Sequence, residues 1–151
     1  MMEQGLEKIV IMIVEDDEAH AELTAAALEQ ANMMNTVIIM RNGAQAMNYL
    51  KGRGKWADDD SRPMPSLILM DLKMPVMDGK QTLAAIKGDP ELKHIPVVML
   101  TSSALDNDIN QCYEAGANSY IVKPVSFGKF ADVVKSIPLY WLLVNKLPVG
   151  G

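Results

Sequence analysis

Cysteine occurs once, at Cys112, so no disulfide framework can hold this chain together, and its composition suits a reducing cytosol. Excess basic charge is missing too. The 14 lysines and arginines stand against 19 aspartates and glutamates, a net charge of −5, which argues against bulk nucleic-acid binding, since that needs a basic face. The longest apolar runs fall far short of a membrane span. The polar start from Met1 to Lys8, with its acidic residues, is unlike a signal peptide. No glycine-rich phosphate loop follows any apolar run, which argues against a nucleotide-binding domain, and no repeat or low-complexity tract interrupts the pattern. What is present is 151 residues, 49% of them apolar, enough for one domain with a real core. The expectation is a single cytoplasmic domain over residues 1–151, with no nucleic-acid or membrane partner.

The chain is organised around Ile68-Leu69-Met70-Asp71-Leu72-Lys73-Met74-Pro75-Val76-Met77-Asp78-Gly79. An apolar run reads as a buried strand and stops on a carboxylate, with the turn signals Met-Pro and Asp-Gly behind it. Strands are also expected over Lys8–Val14, Thr36–Met40, Pro96–Leu100 and Ser119–Val122. Helices alternate with them: Ala19–Ala31, Ala44–Leu50, about Lys80–Lys87, Leu105–Glu114, and a last one from Phe127. In the first helix the apolar stripe is read through Leu23, Ala26, Ala27 and Gln30. In the fourth, Leu105, Ile109 and Cys112 share a face. Lys51–Pro65, with two glycines, two prolines and Asp58-Asp59-Asp60, reads as a long solvated loop. A calcium site there is disfavoured, since no glycine and distal glutamate stand at EF-hand spacing. Five strand–helix alternations imply an α/β fold, a five-stranded parallel sheet with helices on both faces.

That topology gathers the polar strand ends. Glu15 and Asp16 close the first strand, Asp71 the third, Thr101 the fourth and Lys123 the fifth. Three carboxylates together repel, so a cation is expected among them. Oxygen-only ligands with water completing the shell describe Mg²⁺. Thr101 and Lys123 suit phosphoryl oxygens, and a carboxylate attacking phosphorus gives an acyl phosphate. Asp71 is the candidate nucleophile, being central and followed by a flexible Asp78-Gly79 turn. His20 and His94 read as a solvated helix residue and a loop residue, and the methionines as core filler.

These pieces resemble the receiver domain of two-component response regulators over nearly the whole chain. The matching segments are Ile11-Met12-Ile13-Val14-Glu15-Asp16-Asp17, the Asp71–Gly79 stretch, Val98-Met99-Leu100-Thr101-Ser102 and Tyr120-Ile121-Val122-Lys123-Pro124. The ending Ala115–Tyr120, Tyr140-Trp141-Leu142 and Lys146-Leu147-Pro148 is similar to the small regulators paired with bacterial and cyanobacterial phytochromes. The resemblance implies a flavodoxin-like (βα)5 receiver fold and phosphorylation of Asp71 by a histidine kinase of phytochrome type. It implies that Asp16, Asp71 and the Lys73 backbone carbonyl ligate Mg²⁺, with Glu15 acting through water. Thr101 and Lys123 would hold the phosphoryl group, and Tyr120 would be the aromatic switch residue, turning inward as Thr101 moves toward that group. Asp17 matches no metal-binding position, and the Lys73 side chain is expected in solvent, where it would tune dephosphorylation.

Rival readings fare worse. A haloacid-dehalogenase-like phosphatase would need an acid two residues after Asp71, where Lys73 stands. A receiver that works without phosphorylation is at odds with the complete acid set, while a phosphate-relay intermediate remains an alternative use of the same site. No output domain is expected after about residue 125, so output must be a protein contact or phosphoryl relay, and the chain itself is a signalling domain rather than an enzyme. Phe127, Phe130, Val134, Ile137 and Trp141 form one stripe expected to face the sheet. Leu139, Tyr140, Leu142 and Leu143 are then left as candidates for a homodimer surface. The alternative is a tail folded back on its own domain, restarted at Pro138.

Overall fold

The central strands carry no polar residue before their last position, and a strand that is apolar on both faces must be covered on both. The computed structural model describes residues 10–30 and 36–123. Within them, β1 (Val10–Val14), β3 (Leu67–Met70) and β4 (Val97–Thr101) are buried at every position. The edge strands β2 (Thr36–Met40) and β5 (Ser119–Val122) are partly exposed. All neighbours run parallel, in the order β2-β1-β3-β4-β5. The crossovers are α1 (Glu18–Gln30), α2 (Gly43–Lys51), α3 (Gly79–Lys87) and α4 (Asp106–Glu114). The parallel sheet is the one expected from the alternation, and its strand order is the flavodoxin-like arrangement that the resemblance implies. The chain leaves β1 first for β2 on one side, then for β3 on the other. A crevice therefore opens at the carboxyl ends of β1 and β3, where such sheets bind ligands.

Core packing joins the two layers. Met12, Ile68, Met70, Val97 and Met99 of the sheet lie in one buried cluster with Leu83 and Ile86 of α3 and Cys112 of α4. Five of the methionines are in that cluster, Met74 among them, as the gap-filling reading implies.

Two helical faces differ from expectation. On α1 the buried residues are Ala21, Thr24 and Leu28, while Leu23 is 51% exposed. An Ala-rich helix has little contrast between its faces, so small side chains let the sheet choose the phase. The side chains of Ala27 and Gln30 lie outside the described residues. On α4 only Cys112 is buried; Leu105, 64% exposed, stands before the first turn as the N-cap. A residue outside the helical repeat does not continue its stripe.

The segment from Lys51 to Pro65 is more built than a solvated loop. Gly52 ends α2 with φ of 68°, and a Cβ there would meet the Arg62 guanidinium at 2.8 Å. That guanidinium donates from Nε to the Tyr49 carbonyl at 2.7 Å and from Nη1 to the Asp59 carbonyl at 2.9 Å. It thereby satisfies acceptors that a helix end leaves open. Tyr49 Oη donates to the Pro63 carbonyl, and Trp56, in a short 3₁₀ turn over Gly54–Trp56, meets the Tyr49 ring edge-on at 5.3 Å. Asp58 and Asp60 stay exposed, and Asp59 accepts from the Ser61 hydroxyl at 2.8 Å.

Candidate functional site

Register puts the acids side by side. Val14 pairs with Met70, so the next residues on each strand, Glu15 and Asp71, leave the sheet together. The Asp71 N–H donates to the Val14 carbonyl at 3.0 Å and the Glu15 N–H to the Met40 carbonyl at 2.9 Å. On the other side Thr101 pairs with Val122, and the Lys123 N–H donates to the Thr101 carbonyl at 2.6 Å. All the strand-end residues singled out in the sequence thus stand on one edge.

Glu15, Asp16 and Asp71 each offer a carboxylate oxygen, and the three oxygens lie within 4.8 Å of one another. Lys123 reaches into this group: Nζ is 2.8 Å from Glu15 Oε1 and 3.6 Å from Asp71 Oδ2. Glu15 is only 4% exposed. Burial pushes its carboxyl above the ordinary 4.5, Lys123 opposes that shift, and the neighbouring Asp71 adds to it. A single ammonium does not balance three carboxylates, one of them buried. The donor set, all oxygen, fits a hard divalent cation.

The residues around the cluster take distinct places. Asp17 is exposed and caps α1, its Oδ1 accepting the His20 N–H at 3.0 Å; that amide holds its carboxyl below the ordinary 3.8. Its own N–H donates to Glu15 Oε2 at 3.2 Å. His20 is exposed, yet Nδ1 lies 3.2 Å from Lys123 Nζ, a neighbour that no sequence signal announces across 103 positions. His94 is an exposed loop residue as expected.

The Lys73 side chain is exposed, and its N–H donates to Asp71 Oδ1 at 3.4 Å. Val76 has φ of 69° with the Met77 N–H donating across it to the Pro75 carbonyl at 2.7 Å. A β-branched residue at positive φ stores strain, here five residues after Asp71. Asp78-Gly79, read from sequence as a flexible turn, is the capped start of α3. Asp78 and Gln81 form a reciprocal capping box at 2.8 and 2.9 Å. A Cβ on Gly79 would sit 2.3 Å from the Asp71 carbonyl oxygen. Glycine is required there by close approach, not by freedom.

Thr101 is buried, and its Oγ1 accepts the Ser103 N–H at 3.4 Å. Tyr120 is half-buried and packs on the core, and its hydroxyl donates to the Ser103 carbonyl at 2.9 Å. Ser103 Oγ donates to Asp108 Oδ2 at 2.6 Å, and Lys80 Nζ donates to Asp108 Oδ1 at 2.8 Å and to Gln111. Lys80 and Asp108 also border a cleft of about 330 Å³ with Leu72, Lys73, Met74 and Asp78. Sequence reading did not single out Ser103, Lys80 or Asp108. Ser103 and Asp108 are five positions apart, but nothing in the sequence marks Lys80, 28 positions before Asp108, as their partner.

Comparison with known proteins decides what this edge belongs to. Residues 11–135 match the model of the response regulator receiver domain. The chain belongs to that family. As a receiver domain it is a phospho-accepting signalling module of two-component systems, a class that takes its phosphoryl group from histidine kinases. It is 37% identical to the probable methanogenesis regulatory protein FilR2 of Methanothrix harundinacea, over 92% of this chain and 87% of that protein. It is also 37% identical to response regulator Rcp1 of Synechocystis sp., over 93% of this chain and 94% of Rcp1. The receiver fold here superposes on the crystal structure of the Mn(2+)-bound form of Rcp1 with a TM-score of 0.78, covering 93% of this chain and 99% of that one. The phosphorylated cyanobacterial phytochrome response regulator RcpA is 39% identical, with a TM-score of 0.76 over 89% of this chain and 94% of its own. Among the described residues, no helix is long and apolar enough to cross a membrane.

Proposed function

We propose that Asp71 is the phospho-acceptor of this receiver domain. The observation that carries the reading is the position of its carboxylate, 3.6 Å from the Lys123 ammonium and within one oxygen cluster with Glu15 and Asp16. Asp71 attacks phosphorus in line with a phosphohistidine; the O–P bond forms as the P–N bond breaks, and the leaving imidazole takes up a proton. Lys123 and the Thr101 hydroxyl hold the phosphoryl oxygens. Asp16, Asp71 and the Lys73 carbonyl would hold Mg²⁺, with Glu15 acting through water, a reading supported by the likeness to the Mn(2+)-bound form of Rcp1. When bound, the cation neutralises charge that the acids and phosphoryl group would otherwise set against each other. Tyr120 reports the state of Thr101 through Ser103.

The kinase is of phytochrome type, a reading supported by the likeness to RcpA. FilR2, 37% identical over 92% of this chain, carries a different role in its name. The chain works as one cytoplasmic domain over 1–151, signals without turning over a substrate, and pairs as a homodimer through Leu139, Tyr140, Leu142 and Leu143. Those four residues, with the Phe127–Trp141 stripe and Pro124, lie outside the described residues.

The test is labelling from a phosphorylated histidine kinase or a small phosphodonor with Mg²⁺. The wild type should form a bond labile to hydroxylamine, and Asp71→Asn should form none. Undiminished labelling of Asp71→Asn would remove Asp71 from the role.

A further inference from the structure

Every polar group of Ser103 is engaged, and the engagements point in different directions. Its N–H donates to Thr101 Oγ1, its carbonyl accepts from Tyr120, and its hydroxyl donates to Asp108 while accepting the Leu105 N–H at 3.4 Å. Asp108, on α4, is in turn held by Lys80, on the first turn of α3. Lys80 follows Gly79, whose N–H donates to the Leu72 carbonyl at 2.7 Å and which lies so close to the Asp71 backbone that a Cβ on it would sit 2.3 Å from the Asp71 carbonyl oxygen. One chain of contacts therefore runs from the backbone of Asp71 through α3 to α4, and back through Ser103 to Thr101 and Tyr120.

We propose that Asp108 is a positioning residue which, clamped by Lys80, fixes Ser103 and so holds the Thr101 hydroxyl and the inward place of Tyr120 before any phosphoryl group arrives. The proposal rests on the roles given above to Thr101 and Tyr120. Its physical basis is that hydrogen bonds to a charged acceptor are the strong ones, and Asp108 receives two, one from a partly buried hydroxyl and one from an ammonium. Lys80 and Ser103 hold the Asp108 carboxyl below its ordinary value, so the clamp is ionised throughout the neutral range. Without it, Ser103 loses the contact that orients its hydroxyl, and the β4–α4 segment is left with bonds that an exposed Leu105 end cannot secure. The clamp pre-pays the ordering of this segment. The receiver then starts close to the conformation that holds a phosphoryl group, and phosphorylation has less to move.

The experiment follows the Tyr120 ring by NMR of the full chain, with ring-labelled tyrosine, in wild type, Asp108→Ala, Lys80→Met and Lys80→Arg. Each is recorded with Mg²⁺ alone and with Mg²⁺ plus beryllofluoride. With Mg²⁺ alone, the wild type and Lys80→Arg should keep Tyr120 in one buried environment. Asp108→Ala and Lys80→Met should lower the inward-to-outward ratio about tenfold, the size expected for losing a hydrogen bond to a charged group. Lys80→Met removes a partly exposed ammonium and no core packing, so it reads the clamp even if Asp108→Ala folds poorly. A merely structural role would lower melting temperature without moving the Tyr120 ring in folded Lys80→Met. Wild-type Tyr120 signals in Lys80→Met and Asp108→Ala with Mg²⁺ alone overturn the proposal. The beryllofluoride arm tests the phospho-acceptor reading separately: beryllofluoride should return Tyr120 of Lys80→Met to the buried environment, and a Lys80→Met spectrum that beryllofluoride leaves unchanged counts against that reading, while the clamp is judged by the first arm.

Discussion

Lys123 is placed where two demands on it conflict. Its ammonium, 2.8 Å from Glu15 and 3.6 Å from Asp71, relieves the acid cluster, and in doing so it competes with a divalent cation for the same oxygens. Replacing it by methionine should therefore move two properties in opposite directions. Lys123→Met should bind Mg²⁺ more tightly, by about tenfold, because one positive neighbour is gone. Phosphorylation of Asp71 should slow by roughly a hundredfold, because a fixed donor to the developing charge is lost. Calorimetric titration and labelling on the same sample separate the two. A fall in both would mean that Lys123 serves mainly to keep the site folded. At the same scale, Gly79 and Val76 show that the loop after Asp71 is held tightly. One tolerates no Cβ against the Asp71 carbonyl, and the other accepts a positive φ.

Among the elements, two ion pairs tie helix ends to their neighbours. Lys51 at the end of α2 meets Asp89 in the turn after α3, and Lys80 of α3 meets Asp108 of α4. In each pair the lysine is the main cause that holds the carboxyl below its ordinary 3.8. A depressed folded pKa contributes stability that is complete above the unfolded value and is lost as pH falls through the folded one. Denaturant unfolding should therefore show the full contribution of these pairs, with no pH dependence from them, from about pH 5 upward, and a declining limb below about pH 4. The limb should be shallower in Lys51→Met/Lys80→Met, and shallower still in high salt, since all four side chains are partly exposed. An unaltered acid limb in the double variant would show that the pairs add nothing. Glu15 acts with the opposite sign: its raised pKa favours the protonated fold, so the cluster's penalty grows as pH rises through that value. Binding a cation offsets it.

For the whole molecule, the order β2-β1-β3-β4-β5 gathers the strand-end residues on one sheet edge, and the proposed homodimer is tested at the other end of the sequence. Six apolar residues run from Leu139 to Val144, more than one helix face can bury. Sedimentation should give a dimer at micromolar concentration, where a modest interface already holds, and a monomer for Leu139→Glu/Leu143→Glu. A monomeric wild type would assign the run to its own domain.

Strand positions, their parallel order and the five strand-end residues were legible in the sequence. Each rests on a local rule: apolar runs of strand length, turn residues at their ends, and a topology that puts all carboxyl ends on one edge. The acids at 15, 16 and 71 could be expected to meet for that reason alone. The phase of α1 could not be read, because alanine-rich faces differ too little for sequence to rank them, and the sheet placed Thr24 inward and Leu23 outward. The Asp78-Gly79 pair has one sequence signature for a turn and for a capped helix start; contact with the Asp71 backbone made it the second. The Lys80–Asp108 pair and the approach of His20 to Lys123 are matters of tertiary structure entirely. Polar pairing between distant helices depends on how those helices are docked, and docking is decided by apolar surfaces that carry no record of which charges they will bring together.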